Sequence, residues 1–180
     1  DAIQKALLSG GIDLAIAAYP KSPPDIELAD YYTEHIVLCL AGSLLARCQI
    51  DLDAHRDEIA AGDLSSLRGC PFVLGSAADI GGRIGRELLC ASGILPVSKA
   101  TSENVETLLA LCVQGVGACF CPENLLQTAL SPEQLTQLHI LPLCPGASYP
   151  ICFGYLKRSY PWSVLSEFIR IAREQIESAP

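Results

Sequence analysis

The stretch Gly81-Gly82-Arg83-Ile84-Gly85 has the residue types of an anion site. Glycines at a helix start leave backbone N–H groups uncovered at the positive end of the helix. Arg83 could add charge-assisted hydrogen bonds, although its plainer reading is a surface residue. The stretch lacks the spacing and the Lys-Ser/Thr pair of a phosphate loop, and it is not a GxGxxG fingerprint, so nucleotide binding is not expected. Ser43, Ser65, Ser66 and Ser76 sit in no GxSxG elbow. Glu103 and Glu106, three residues apart on one helix face, read as a solvated pair. No acid, base and nucleophile converge, so no catalytic residue is assigned and no enzyme is expected.

Cysteine is the other abundant reactive type, at 39, 48, 70, 90, 112, 119, 121, 144 and 152. An odd count of nine, mostly inside apolar sequence, fits reduced thiols used as small core residues in a cytoplasmic protein. Cys119-Phe120-Cys121 lacks the two-residue gap of a redox or zinc motif. His35, His55 and His139 keep no regular spacing to any cysteine or carboxylate. No metal and no cofactor are expected. Trp162, the only tryptophan, follows Pro161 and is expected to pack against the last helix rather than to stack on a ligand.

The elements that would position these residues alternate. Ala2 to Leu8 reads as a helix stopped by Gly10-Gly11, and Ile12 to Ala17 as a short buried strand. After a proline-rich loop, Ile26 to Tyr32 and His35 to Leu40 read as two strands. Leu44 to Leu67 is polar, helical or irregular. Strands are expected at Phe72 to Leu74 and Val97 to Thr101, with a helix at Gly81 to Ala91 between them. The best-patterned helix carries Val105, Leu108, Leu109, Cys112 and Val113 at three- and four-residue steps, with Ser102 as its cap. Gly115-Val116-Gly117 turns it into a strand at Ala118 to Cys121. A helix at Pro122 to Leu130 and strands at Leu138 to Leu141 and Ile151 to Leu156 follow. In the final helix Leu165, Phe168, Ile169, Ala172 and Ile176 form one stripe. Strands alternating with helices predict an α/β fold with mostly parallel sheets.

Of 180 residues, 50% are apolar and 18% charged, which excludes disorder. A net charge of −8 argues against nucleic-acid binding by this chain itself, because duplex DNA demands a basic face. No apolar run reaches the roughly 18 residues of a membrane helix, and no signal peptide is read at the N-terminus, so no membrane partner is expected.

Several segments in order resemble the effector-binding domain of LysR-type transcriptional regulators. They are Leu7 to Ile16, ending Asp13-Leu14-Ala15-Ile16; Glu34 to Leu38 with the turn Gly42 to Ala46; and Leu64 to Leu74. Glu103 to Gly117 followed by Cys121-Pro122 is the most specific, and Tyr155 to Arg158 is the last. The resemblance implies a two-lobed fold like that of type 2 periplasmic binding proteins. Lobe I would hold 1–69 and 150–180, and lobe II 70–149. Against the family pattern a first strand and its polar loop are missing ahead of Ala2, as is the winged-helix DNA-binding domain, and the stretch 47–62 is longer than usual.

The resemblance further implies a small polar or anionic effector, bound between the lobes, that modulates DNA binding through the absent N-terminal domain. Its contacts would be Ala17, Ala18 and Tyr19, Gly75 and Ser76, Thr101 and Ser102, and Phe120 and Pro122, with Arg83 added as the cation. Ile3, Ala6 and Leu7 would face a partner subunit in a homodimer or tetramer, although intrachain packing explains them equally. A solute-binding protein of a transporter and a dehydratase-type enzyme share the architecture. Glu103 to Gly117 matches the regulators better than either.

Overall fold

The computed structural model describes residues 2–19, 21, 23–157 and 163–177. Arg158, Pro161 and Trp162 lie outside them. The chain divides into two compact units, 1–34 with 149–180 and 35–148. The implied lobe boundary near 68–71 is not where they divide. Residues 35–69 belong with the second unit because their strand pairs there and their helices pack there.

In the first unit, α1 (Ala2–Leu8) runs through a glycine turn into β1 (Leu14–Ala18). Gly10 takes the left-handed conformation at φ +71°, and the N–H groups of Gly10 and Gly11 close on the carbonyls of Leu7 and Ala6. β1 pairs antiparallel with β7 (Ser148–Leu156), Ile16 opposite Phe153. β7 also neighbours the first part of β2 (Ile26–Ala41). Phe153 is fully buried, with the ring of Tyr31 at 4.4 Å and that of Phe168, on α8 (Ser163–Glu177), edge-on at 6.3 Å. The Tyr19 ring lies against Gly154, where any side chain would collide with it.

β2 is one strand of 16 residues where two were expected. Thr33 and Glu34 read as a break, yet extended backbone accepts them. Glu34 is buried, and the Tyr32 hydroxyl donates to its Oε2 at 3.5 Å. In the second unit, β2 is flanked antiparallel by β5 (Cys119–Pro122) and β6 (Leu138–Pro142). β3 (Pro71–Gly75) and β4 (Val97–Ser102) pair in parallel, and a parallel bridge joins Phe72 to Ala118 just ahead of β5. The α/β class is as expected, but the expected mostly parallel pairing is confined to this part. There, the helices α4 (Ile80–Ala91) and α5 (Val105–Val113) carry the chain back across the sheet. β2, β5, β6, β1 and β7 meet partners distant in sequence, for which no right-handed helical crossover fixes the direction.

The region expected to be helical or irregular contains α2 (Gly42–Cys48), α3 (Leu52–Ala60) and a 3-10 turn at Ser65–Leu67. Asp51 caps α3 by accepting from the Ala54 N–H at 3.3 Å, and Leu52 and Ile59 bury its inner face. The span expected as one helix from Pro122 to Leu130 is a 3-10 turn followed by α6 (Leu126–Ala129). A short α7 (Pro132–Leu135) follows under a Ser131 capping box. The second unit's core is built from Leu38, Leu40, Leu44, Ile59, Leu64, Leu67, Phe72, Leu89 and Leu109.

Candidate functional site

The candidate site opens at the C-terminal ends of the parallel strands β3 and β4, where open α/β sheets hold their ligands. Register sets it up: Leu74 lies opposite Thr101 and Gly75 opposite Ser102, so the residues leaving both strands emerge side by side. A cavity of about 330 Å³ lies there, lined by Ser76, Ala77, Arg86, Thr101, Ser102 and Glu103. All six belong to the second unit.

Each lining side chain has a local reason for its place. The Ser76 hydroxyl accepts from the Ala78 N–H at 3.2 Å, and the Ser102 hydroxyl from the Asn104 N–H at 3.0 Å. Accepting in this way orients each oxygen and leaves its own O–H free to donate. Arg86 reaches back along α4: Nη1 donates to the Gly82 carbonyl at 2.9 Å and Nη2 to the Gly75 carbonyl at 2.6 Å. These bonds fix the guanidinium across the cavity wall. Side chains on a helix lean toward its N-terminus, so an arginine in the second turn reaches back over the first turn and the helix start.

That geometry corrects three expectations. First, Arg83 is an exposed residue whose Nη1 meets Glu87 Oε1 at 3.3 Å. The cavity's cation is Arg86, which sequence reasoning missed, and the lean of helical side chains was the signal for it. Second, the glycines of α4 do not present N–H groups to a ligand. Asp79 caps the helix and accepts the Gly82 N–H at 2.8 Å. Gly81 and Gly82 are buried, and a side chain on Gly82 would run into the Ser76 carbonyl. Their smallness lets α4 start against the end of β3. Third, Asn104 rather than Ser102 caps α5, its Oδ1 accepting from the Thr107 N–H at 3.1 Å. Ser102 instead holds the turn before the cap and keeps its O–H toward the cavity.

The remaining candidates scatter. Gly75 is buried beneath the cavity and supplies the carbonyl that holds Arg86. Phe120, 4% exposed, stacks parallel to Phe72 at 6.0 Å and covers Gly85, so it is a core residue. Pro122 closes β5 opposite Ile36 and does not line the cavity. Ala17, Ala18 and Tyr19 belong to the first unit and are half-buried. The Tyr19 hydroxyl is buried with no hydrogen-bond partner among the described residues. Desolvation, followed by the nearby Cys152, raises its pKa. Of the α1 residues, Leu7 is fully buried in its own unit, while Ile3 and Ala6 are half-buried.

All nine cysteines are free, and Cys39, Cys112, Cys119 and Cys121 meet in the core between β2, β5 and α5. The sulfurs of Cys39 and Cys121 are 3.6 Å apart, and the Cys112 thiol donates to the Cys39 carbonyl at 3.2 Å. Cys121 is held below the usual thiol range because Cys119, and then Cys39, donate to it. Among the described residues no group of three or more His, Cys, Asp or Glu is placed to hold a metal ion. Nor is any helix among them long and apolar enough to cross a membrane.

The family model described as the LysR substrate binding domain matches residues 1–177. No curated protein matches the chain significantly. Among solved structures, the effector-binding domain of QuiR in complex with shikimate is similar at 18% identity and TM-score 0.66, over 97% of this chain and 76% of that one. The BenM effector-binding domain with its effector benzoate is similar at 20% identity and TM-score 0.70, over 99% of this chain and 78% of that one. Full-length CbnR complexed with its target DNA shares 19% identity at TM-score 0.66, and the match covers 97% of this chain but 54% of CbnR. The fold is that of the LysR effector-binding domains, and the chain belongs to the LysR substrate binding domain family.

Proposed function

We propose that this domain senses a small polar or anionic molecule in the cavity at the ends of β3 and β4, and so modulates DNA binding by a DNA-binding region of a longer regulator. The observation that carries the reading is the lining of that cavity. Two hydroxyls, Ser76 and Ser102, are oriented by backbone N–H groups, and beside them a guanidinium is fixed by two backbone carbonyls. Donors fixed before the ligand arrives reduce the ordering cost of binding, and a guanidinium with unused N–H groups suits a carboxylate or similar anion. Relatives seen with shikimate and benzoate support an organic acid as effector, and CbnR bound to its target DNA supports the regulatory role.

Self-association belongs to the same proposal. Ile3 and Ala6 of α1, with the exposed Leu8, would meet a second copy, while Leu7 stays in its own core.

Thermal-shift screening against small carboxylates, amino acids, aromatic acids and inorganic anions tests the sensing role, since a ligand of the native state raises the midpoint by mass action. The expected result is a saturable rise that Thr101→Ala or Ser102→Ala weakens. A rise that both variants leave unchanged would place the site elsewhere.

A further inference from the structure

The cavity is lined by two opposite charges that do not neutralise each other. Arg86 and Glu103 both face it, yet among the described residues neither forms an ion pair, with the other or with any third group. The charged nitrogen and oxygen atoms of the two side chains stand more than 4.0 Å apart. Arg86 spends two of its five N–H donors on carbonyls, and neutral carbonyls do not offset its charge. The carboxylate of Glu103 has no hydrogen-bond partner among the described residues. A site for a simple anion has no use for a carboxylate on its wall, because like charges at close range weaken binding.

We propose that this cavity takes a compact zwitterion, an α-amino acid or a molecule of the same charge pattern, with its carboxylate on Arg86 and its ammonium on Glu103. The inference rests on the effector-sensing reading above and names the ligand's chemistry. The free O–H groups of Ser76 and Ser102 supply further donors to the ligand carboxylate. The volume of about 330 Å³ lies at the small end of ligand sites, which suits a molecule of amino-acid size. Glu103 follows directly on β4 and is exposed, so it meets the ligand at the rim, whereas Arg86 is half-buried at the wall.

The test is calorimetric titration of the chain with matched triplets: alanine, leucine, phenylalanine and glutamine, each beside its deaminated acid and its decarboxylated amine. At least one amino acid should bind about tenfold or more tightly than its acid and its amine. Glu103→Gln should then weaken that amino acid about twofold to fivefold, the upper part of the range of an exposed ion pair. The same variant should leave the matched acid unchanged or tighten it, since a repulsive charge has gone. Glu103 is exposed and makes no internal bond, so its variant folds, and opposite responses of the two ligands cannot come from a general loss of structure. If acids bind as well as their amino acids, the zwitterion inference fails and the sensing role stands. If none of the twelve compounds binds while another small anion does, the inference fails in the same way. If no small molecule binds, the sensing role falls with it.

Discussion

Small differences in position decide which residues line the cavity. Arg83 and Arg86 sit on the same helix three residues apart, and nothing in composition separates them. Arg86 alone can lean back over the helix mouth to reach the carbonyls of Gly82 and Gly75. Ser102 and Asn104 are both good caps by residue type, and Asn104 takes the role because its Oδ1 reaches the Thr107 N–H. Asn104→Ala is therefore expected to cost about 1 kcal/mol, the usual loss for a helix cap, and Ser102→Ala distinctly less. Urea denaturation of the two variants measures this, and a larger loss in Ser102→Ala would reverse the assignment. Gly85 is a residue fixed by packing, because an added methyl would enter the ring of Phe120, itself stacked on Phe72. Overpacking of this kind costs about 1–3 kcal/mol, so Gly85→Ala should lower the denaturation midpoint without touching the cavity residues.

At the scale of elements, the sequence was most readable where one face repeats. Helices α4 and α5 and strands β3 and β4 fall within a residue or two of the expected bounds, since apolar periodicity and a cap or glycine at each end report local structure directly. Pairing was not readable. Whether β2 was one strand or two, and which way its partners ran, depended on residues about 80 to 100 positions away, beyond any local pattern. The residues that line the cavity followed the same divide. Ser76, Thr101 and Ser102 were legible as cavity lining because they lie at or just past strand ends, while Phe120, inside a short strand, is buried in the core. The last helix shows how a stripe can mislead. Ile169 is 7% exposed while Phe168 is 50% exposed, and Val164 and Ile171 are exposed as well. Ile169→Ala should cost about 2–4 kcal/mol through the cavity it leaves. Ile171→Ala should stay within about 0.5 kcal/mol, as for other surface changes. Similar costs at both positions would mean that the outer face of α8 is packed.

For the molecule as a whole, the nine cysteines provide a graded probe of closure. Cys90 is exposed, Cys48 and Cys144 are half-buried, and Cys39, Cys70, Cys112, Cys119, Cys121 and Cys152 are buried. Labelling requires both a thiolate and access to it. Burial raises Cys70 to about 12 and also raises Cys152, so both conditions fail for these two. Cys121 separates the conditions, because its neighbours favour its thiolate while the fold seals it from solvent. If access governs, native protein treated with a thiol reagent should modify Cys90 first and Cys48 and Cys144 more slowly. The six buried cysteines should react only on the timescale of opening, and together with global unfolding in denaturant. Mass mapping of the labelled peptides reads the order. Early modification of Cys121 ahead of Cys48 and Cys144 would show that the sheet of the second unit opens locally around β5, and that this part of the core is less stable than its burial implies.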